Sequence, residues 1–98
     1  MPYVYILRCS DDSYYVGSTW NLDNRLYQHG TGHGSAYTSR RMPVTAVFAQ
    51  EYERMDEAYA REKQIQGWSR RKREALIAGE YNELPRLSRK DFGAGRLG

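Results

Sequence analysis

Residues 3–18 read YVYILRCSDDSYYVGS, and this stretch decides the fold of the chain. Two runs rich in aromatic and β-branched residues flank a short stretch of Asp and Ser. Aromatic and β-branched side chains favour strands. Asp and Ser favour turns, because their side chains hydrogen-bond nearby backbone groups. The stretch therefore predicts a β-hairpin.

Alternation along the two strands predicts which side chains share a face of the hairpin. Tyr5 and Leu7 lie on one face of the first strand, and Tyr15 and Gly17 share a face of the second. A glycine inside a strand weakens it and often marks the close approach of a ligand or another backbone. We therefore expect Gly17 to lie beside a bound molecule or a neighbouring chain segment.

A helix, a loop and a third strand are predicted after the hairpin. Asn21 can cap a helix over residues 22–29, with Gly30 as its stop. Residues 30–41 contain alternating glycines and several hydroxyls, which predict a loop. The segment 44–52 predicts a strand that is largely apolar in its first half, and we expect it to be covered on both faces.

Two further helices are predicted in the second half of the chain. The first begins at Met55 and Asp56, with Asp56 as its cap, and the second spans residues 70–78 between a Ser69 cap and a Gly79 stop. The fold class predicted is α+β, with a small three-stranded β-sheet flanked by helices in the order β-β-α-β-α-α.

Length and composition predict one small domain over residues 1–82 and a basic, flexible tail over residues 83–98. Cys9 is the one cysteine, which excludes a disulfide within the chain and a cysteine-based zinc site. No stretch is apolar for long enough to span a membrane, and no signal peptide opens the sequence. The cytoplasm is therefore the expected location.

The positive charge is concentrated in the second part of the chain. Residues 1–60 carry five Lys and Arg against seven Asp and Glu, and residues 61–98 carry ten against five. This asymmetry fits a surface that faces nucleic acid, and it fits equally a basic domain with a positive tail.

Three polar side chains stand out on the predicted helices. Glu62 lies between Ala58 and Ile65 on an apolar stripe, so it needs a cation, a metal or hydrogen bonds unless it escapes to solvent at the edge of the stripe. Arg25 and His29 are four residues apart and point together, so they can hold a phosphate or form a solvated face.

The motifs Val4-Tyr5-Ile6 and Tyr15-Val16-Gly17, followed by the segment NLDNRL of residues 21–26, resemble the signatures of the GIY-YIG nuclease superfamily. The similarity runs from about Pro2 to about Ile77 and is greatest to small stand-alone bacterial members. It implies a GIY-YIG endonuclease-like fold and a metal-dependent endonuclease with a one-metal mechanism, and it points to DNA repair or recombination.

The resemblance also implies a role for each catalytic residue. Arg25 contacts the scissile phosphate, and Glu62 holds one weakly bound Mg²⁺ or Mn²⁺. His29 matches a histidine common in this branch. The resemblance favours Tyr15 as the base, with Tyr5 hydrogen-bonding alongside, although the residues alone leave the choice between these tyrosines open.

The expected partner is nucleic acid, with DNA as the substrate and no membrane partner. A second group of residues is expected to bind it: Gly17, Tyr37, Thr38, Arg40, Arg70, Arg71, Lys72 and Arg73. Gln66 stands where the family usually has Lys, so a substrate contact of that Lys is not expected here. Two other interpretations stay open: a non-catalytic nucleic-acid-binding module on the same scaffold, and a protein-interaction domain.

Overall fold

The computed structural model describes residues 1–79. Within them the chain is α+β, as predicted. The elements are β1 (Tyr3–Arg8), β2 (Tyr14–Thr19), α1 (Leu22–Gly30), α2 (Ala36–Ser39), β3 (Thr45–Glu51), α3 (Met55–Gln66) and α4 (Arg70–Ala78). The predicted tail of residues 83–98 and the predicted domain end at residue 82 lie outside the described residues.

β1 is the central strand of an antiparallel sheet with the order β2-β1-β3. Tyr5 on β1 pairs with Gly17 on β2 and with Ala49 on β3. Val4, Tyr5 and Ile6 are fully buried, so both faces of this strand are covered. The apolar and aromatic residues at successive positions of β1 suit this central place.

β3 is an edge strand, and the prediction that both of its faces are covered is wrong. Val47 and Phe48 are half-buried, and the other five residues of the strand are exposed. The apolar content of this segment fits a buried strand. The order of the sheet nevertheless places β1 in the middle and leaves β3 at the rim.

The turn between β1 and β2 is held by its own polar side chains. The Asp11 carboxylate accepts from the backbone N–H of Ser13 at 3.1 Å and from its hydroxyl at 2.6 Å. Cys9 N–H donates to the Ser13 carbonyl at 2.8 Å. The predicted hairpin is therefore confirmed, and Asp and Ser make the turn by the expected chemistry.

α1 and α2 are the helices that follow the hairpin. The Asn21 side chain caps α1 by accepting from Asn24 N–H at 3.0 Å, as predicted. α1 includes Gly30 and is capped by Thr31, one residue beyond the predicted stop. Inside the predicted loop, residues 36–39 form α2, because the Ser35 hydroxyl accepts from Thr38 N–H at 3.1 Å.

α3 begins at Met55, as predicted, but Asp56 lies within its first turn and is not the cap. The Asp56 carboxylate pairs with Arg54 at 2.8 Å. Ala58 is fully buried, and Glu62, one turn later, is half-buried. Glu62 is thus partly withdrawn from water.

The described residues divide into two units, Met1–Lys63 and residues 64–79. In the second unit the Ser69 hydroxyl caps α4 by accepting from Lys72 N–H at 3.2 Å. α4 ends at Gly79, whose φ of 79° is in the left-handed region that glycine adopts readily. Among the helices of residues 1–79, none has the length and apolar character needed to cross a bilayer.

Candidate active site

Tyr5 and Gly17 lie opposite each other on neighbouring strands, and this pair fixes the position of the Tyr5 phenol. A methyl group at Gly17 would lie 2.5 Å from the Tyr5 hydroxyl oxygen and 2.6 Å from Cζ. Tyr5 is 0% exposed, and Gly17 is buried. The close approach expected at Gly17 is therefore made by a side chain of this chain, and the glycine does not face a nucleic-acid strand.

Gly17→Ala should lower the free energy of unfolding by about 1–3 kcal/mol, the usual cost of adding volume to a packed site. The added methyl would overlap the ring and hydroxyl of a fully buried tyrosine, Tyr5. Gly30→Ala is the matched control, because a methyl at Gly30 meets nothing within 4 Å. Urea unfolding of both variants tests the prediction, and equal midpoints would contradict this packing.

The Tyr5 hydroxyl is hydrogen-bonded to His29, whose Nε2 lies 2.9 Å from it. The pKa of Tyr5 is raised to about 12, chiefly by burial; the Arg25 guanidinium opposes the rise, and the charges of Tyr15 and Glu62 add to it. At neutral pH Tyr5 is therefore a neutral phenol.

His29 links Tyr5 to α2. Its Nδ1 lies 2.8 Å from the hydroxyl oxygen of Thr38, and both side chains are fully buried. Burial, followed by the nearby Arg25 charge, lowers the pKa of His29 below its usual 6.5. Gly34 packs directly against the His29 ring, where any Cβ would overlap Nδ1. His29 is thus a neutral imidazole, fixed at both ring nitrogens.

Tyr15 is the half-buried tyrosine of the site and belongs to a row of rings. Its ring centroid lies 6.4 Å from that of Tyr5, 5.2 Å from that of His29 and 6.0 Å from that of Tyr37. Arg41 stacks over the Tyr37 ring at 3.8 Å. The row runs from the buried phenol to Tyr37, which is 37% exposed.

Glu62 reaches the site from α3 and is held by Ser18. The Ser18 hydroxyl donates to Oε1 of Glu62 at 2.5 Å. Ser18 pairs with Val4, and alternation places this pair on the opposite face of the sheet from Tyr5. The Glu62 charge still acts on the Tyr5 phenol. The contact of Glu62 with Ser18 therefore lies on one face of the sheet and the Tyr5 phenol on the other, and the effect of Glu62 on Tyr5 is electrostatic.

The donors at Glu62 and Ser18 fit a hydrated Mg²⁺ or Mn²⁺. Both offer hard oxygen atoms, and Mg²⁺ often binds through one or two carboxylates while it keeps several waters. Residues 1–79 contain no cluster of three or more His, Cys, Asp or Glu side chains that could hold a metal. An ion bound through Glu62 would therefore have few protein ligands.

The three loop residues expected to contact phosphate differ in their accessibility. Tyr37 and Arg40 are exposed and can reach a ligand. Thr38 is 0% exposed and is hydrogen-bonded to His29, so its hydroxyl does not face a nucleic-acid backbone. The physical reason is the unexpected α2, which turns Thr38 inward.

The four basic residues at the start of α4 do not form one exposed patch. Lys72 is 2% exposed, and its ammonium lies 4.1 Å over the Trp68 ring. Lys72 was expected to bind nucleic acid, but in this structure its charge is buried and does not face the surface. Arg70 is exposed and pairs with Glu74 at 3.0 Å, and Arg71 is exposed as well.

Arg73 caps the C-terminus of α3. Its guanidinium donates to the carbonyl of Ile65 at 3.1 Å and to that of Gln66 at 2.8 Å. A cation at this end of a helix satisfies the last carbonyls and complements the helix dipole. Arg73 thus has a structural role that its place in a basic run did not indicate.

Sequence reasoning did not single out Ser18, Gly34 or Ser35, although all three shape the site. The spacing of Ser35 and Thr38 is that of a helix cap and the residue it bonds, so it could have revealed α2. Ser18 directly follows Gly17, but nothing local indicates that its partner lies 44 residues away.

The chain matches the family described as the GIY-YIG catalytic domain over residues 1–75. It is 40% identical over 78 residues to a UPF0213 protein of Natronomonas pharaonis, covering 80% of this chain and 92% of the relative. It is 38% identical over 89 residues to one of Halalkalibacterium halodurans, covering 88% and 95%. The solution NMR structure of the UPF0213 protein from Bacillus halodurans is similar, with a TM-score of 0.53 and 39% identity, over 80% of this chain and 84% of that chain.

Proposed function

This chain belongs to the GIY-YIG catalytic domain family, and on that premise we propose that it is a metal-dependent endonuclease that hydrolyses phosphodiester bonds of DNA. The observation that supports the proposal is the buried phenol of Tyr5, which is hydrogen-bonded to His29 and acted on by the charges of Arg25 and Glu62. Hydrolysis must move a proton from water and neutralise charge on the phosphate and on the leaving oxygen. These four groups supply donors, acceptors and charges suited to those tasks.

Glu62 is the residue that would hold the Mg²⁺ or Mn²⁺. When bound, the ion supplies Lewis-acid stabilisation of charge on the phosphate oxygens and the leaving group. The hydrogen bond from Ser18 fixes the orientation of the Glu62 carboxylate. A carboxylate with a fixed orientation loses less freedom when it binds a ligand. We therefore propose that Ser18 orients the Glu62 carboxylate for metal binding.

Arg25 is the residue that would bind the scissile phosphate. Guanidinium groups present a planar fork of donors that matches phosphate oxygens. Arg25 acts on the Tyr5 phenol, since it lowers the Tyr5 pKa against the effect of burial. A phosphate held there would sit beside the phenol, where charge develops during attack by water.

Tyr5, backed by His29, is our choice for the group that takes the proton from water, which requires a water molecule to reach a hydroxyl that is buried in this structure. A phenol with a pKa of about 12 is almost never a phenolate at neutral pH. It can still pass a proton on: the water proton goes to the Tyr5 oxygen while the Tyr5 proton goes to His29 Nε2, 2.9 Å away. This choice differs from the one that the family resemblance favours, which is Tyr15.

Exposed side chains outside the site would bind the nucleic-acid backbone. Tyr37 and Arg40 in the first unit, and Arg70 and Arg71 in the second, are accessible for such contacts. We place the protein in the cytoplasm, where the free and buried Cys9 would stay reduced. A role in DNA repair or recombination is part of the same proposal.

A panel of labelled substrates tests the proposed function. Single-stranded, duplex and branched DNA, and RNA of the same sequences, are incubated with the full chain in Mg²⁺, Mn²⁺ or EDTA and resolved on gels. We expect cleavage of at least one DNA substrate with either ion, and none in EDTA. DNA binding that weakens with added salt, without cleavage, would favour the binding module instead. Neither binding nor cleavage would favour the protein-interaction domain.

A further inference from the structure

We propose that Thr38 is a positioning residue that fixes the tautomer of His29. Its hydroxyl accepts a hydrogen bond from Nδ1–H, so that Nε2 is left as the proton acceptor facing Tyr5. The tautomer itself follows from the hydrogen bonds around His29. Its consequence for cleavage rests on the proposed function.

The Tyr5 hydroxyl is buried, so its proton needs an acceptor within the protein. His29 Nε2 lies 2.9 Å from the hydroxyl oxygen, and the Arg25 guanidinium is close enough to lower the pKa of Tyr5. A guanidinium only donates, so it cannot accept the Tyr5 proton. Within residues 1–79 that proton finds its acceptor in His29 Nε2 when this nitrogen carries no hydrogen, which is the tautomer that a hydrogen bond from Nδ1–H favours. A neutral imidazole then carries its proton on Nδ1.

The hydroxyl of Thr38 lies among three hydrogen-bonding atoms of His29 and Ser35. It lies 2.8 Å from His29 Nδ1, 2.9 Å from the Ser35 hydroxyl oxygen and 3.4 Å from the Ser35 carbonyl. A carbonyl only accepts, so the Thr38 proton has an acceptor in Ser35 and is not needed at His29. Thr38 is then free to accept from Nδ1–H. This arrangement satisfies every member of the chain from Tyr5 to Ser35.

Burial gives Thr38 control of the tautomer. Tyr5, His29 and Thr38 are fully buried, and Gly34 closes the ring at Nδ1. Among the side chains of residues 1–79, no buried polar atom lacks a partner. In water a neutral imidazole carries its proton mainly on Nε2, which is the wrong nitrogen for accepting one from Tyr5. The hydrogen bond at the other ring nitrogen decides which tautomer is present.

Long-range ¹H–¹⁵N correlation spectra of the full chain above pH 7 test the proposal without metal or nucleic acid. The chain has two histidines, and the variant His33→Gln assigns the signals of His29. We expect a protonated Nδ1 and an unprotonated Nε2 in the wild type. Thr38→Val keeps the shape but removes the hydroxyl, so it should shift the proton toward Nε2. Thr38→Ser keeps the hydroxyl and should keep the wild-type pattern.

The same variants are then assayed for DNA cleavage. Thr38→Val should cut about 10- to 100-fold more slowly, as other losses of an orienting partner do, and Thr38→Ser should restore most of the rate. Thr31→Val is the matched control, since it removes a hydroxyl that bonds His33 and the carbonyls of Tyr27 and Gln28 but not the His29 ring. If Thr38→Val does not fold, Thr38→Ala removes the same hydroxyl with less bulk, and the same shift of the proton and the same loss of rate are expected.

Two results would overturn the proposal: an Nε2-protonated His29 in the wild type, or a Thr38→Val variant whose tautomer or cleavage rate is unchanged. If the wild type shows the expected tautomer but cleaves no substrate, the hydrogen-bond assignment stands and the proposed function fails. The spectra and the cleavage assay therefore separate the two ideas.

Discussion

Glu62→Gln should slow DNA cleavage by about 10³-fold, equivalent to roughly 4 kcal/mol of lost transition-state stabilisation. The glutamine keeps the shape of the side chain, and its oxygen can still accept the Ser18 hydrogen bond that Glu62 accepts at 2.5 Å. The packing of α3 is therefore preserved. What is lost is the negative charge that would hold the divalent ion. Single-turnover cleavage rates at a Mg²⁺ concentration that saturates the wild type measure the effect.

Glu57→Gln is the control for this variant, because it makes the same chemical change at an exposed position of the same helix. Its cleavage rate should equal that of the wild type, and both variants should unfold at the wild-type temperature. Raising Mg²⁺ or Mn²⁺ should recover part of the rate lost in Glu62→Gln, because a weakened site fills at higher ion concentration. If Glu62→Gln cuts DNA at the wild-type rate, Glu62 is not the metal ligand.

The hairpin could be predicted from sequence because its signals are local. The strand-forming runs and the turn residues Asp11 and Ser13 act within a few positions of one another. The caps of α1 and α4 at Asn21 and Ser69 are local for the same reason. The close approach at Gly17 could also be expected, since a glycine in a strand is a local feature. That Tyr5 is its partner required the strand register.

Other features depend on contacts between distant parts of the chain, which a sequence pattern does not show. The coverage of β3 follows from the sheet order, which places β1 in the centre. The run from Arg70 to Arg73 looks uniform in sequence, but successive residues of a helix point in different directions. One of the four, Lys72, consequently faces inward, and Arg73 turns back to the end of α3.

The roles of the two tyrosines of the site also depend on contacts between distant parts of the chain. Tyr5 and Tyr15 are both aromatic residues of one hairpin face, and the family resemblance favours Tyr15. The structure distinguishes them by burial and by hydrogen bonding: Tyr5 is fully buried and bonded to His29, whereas Tyr15 is half-buried and contacts His29 through its ring. Only the fold brings His29 to one phenol oxygen and not to the other.

Tyr5→Phe should lower the cleavage rate by about 10²- to 10⁴-fold, the range that general acid–base groups contribute, while Tyr15→Phe should lower it less than about tenfold. The first change removes the hydroxyl that lies 2.9 Å from His29 Nε2, and the second leaves that hydrogen bond in place. Tyr5→Phe also leaves the buried Nε2 of His29 without its hydrogen bond to Tyr5, which should lower the free energy of unfolding by about 1–3 kcal/mol. Rates should therefore be measured well below the unfolding temperature of each variant.

The pH dependence of the wild-type rate separates a relay through His29 from a free phenolate. A relay needs neutral His29, whose pKa lies below 6.5, so the rate should rise with pH through that lowered pKa and level off above it. A phenolate base with the Tyr5 pKa of about 12 would instead give a rate that keeps rising tenfold per pH unit across the neutral range. If Tyr15→Phe is the slower variant, Tyr15 is the base. The attacking water then binds at the half-buried Tyr15, and the hydrogen bond between Tyr5 and His29 has a structural role only.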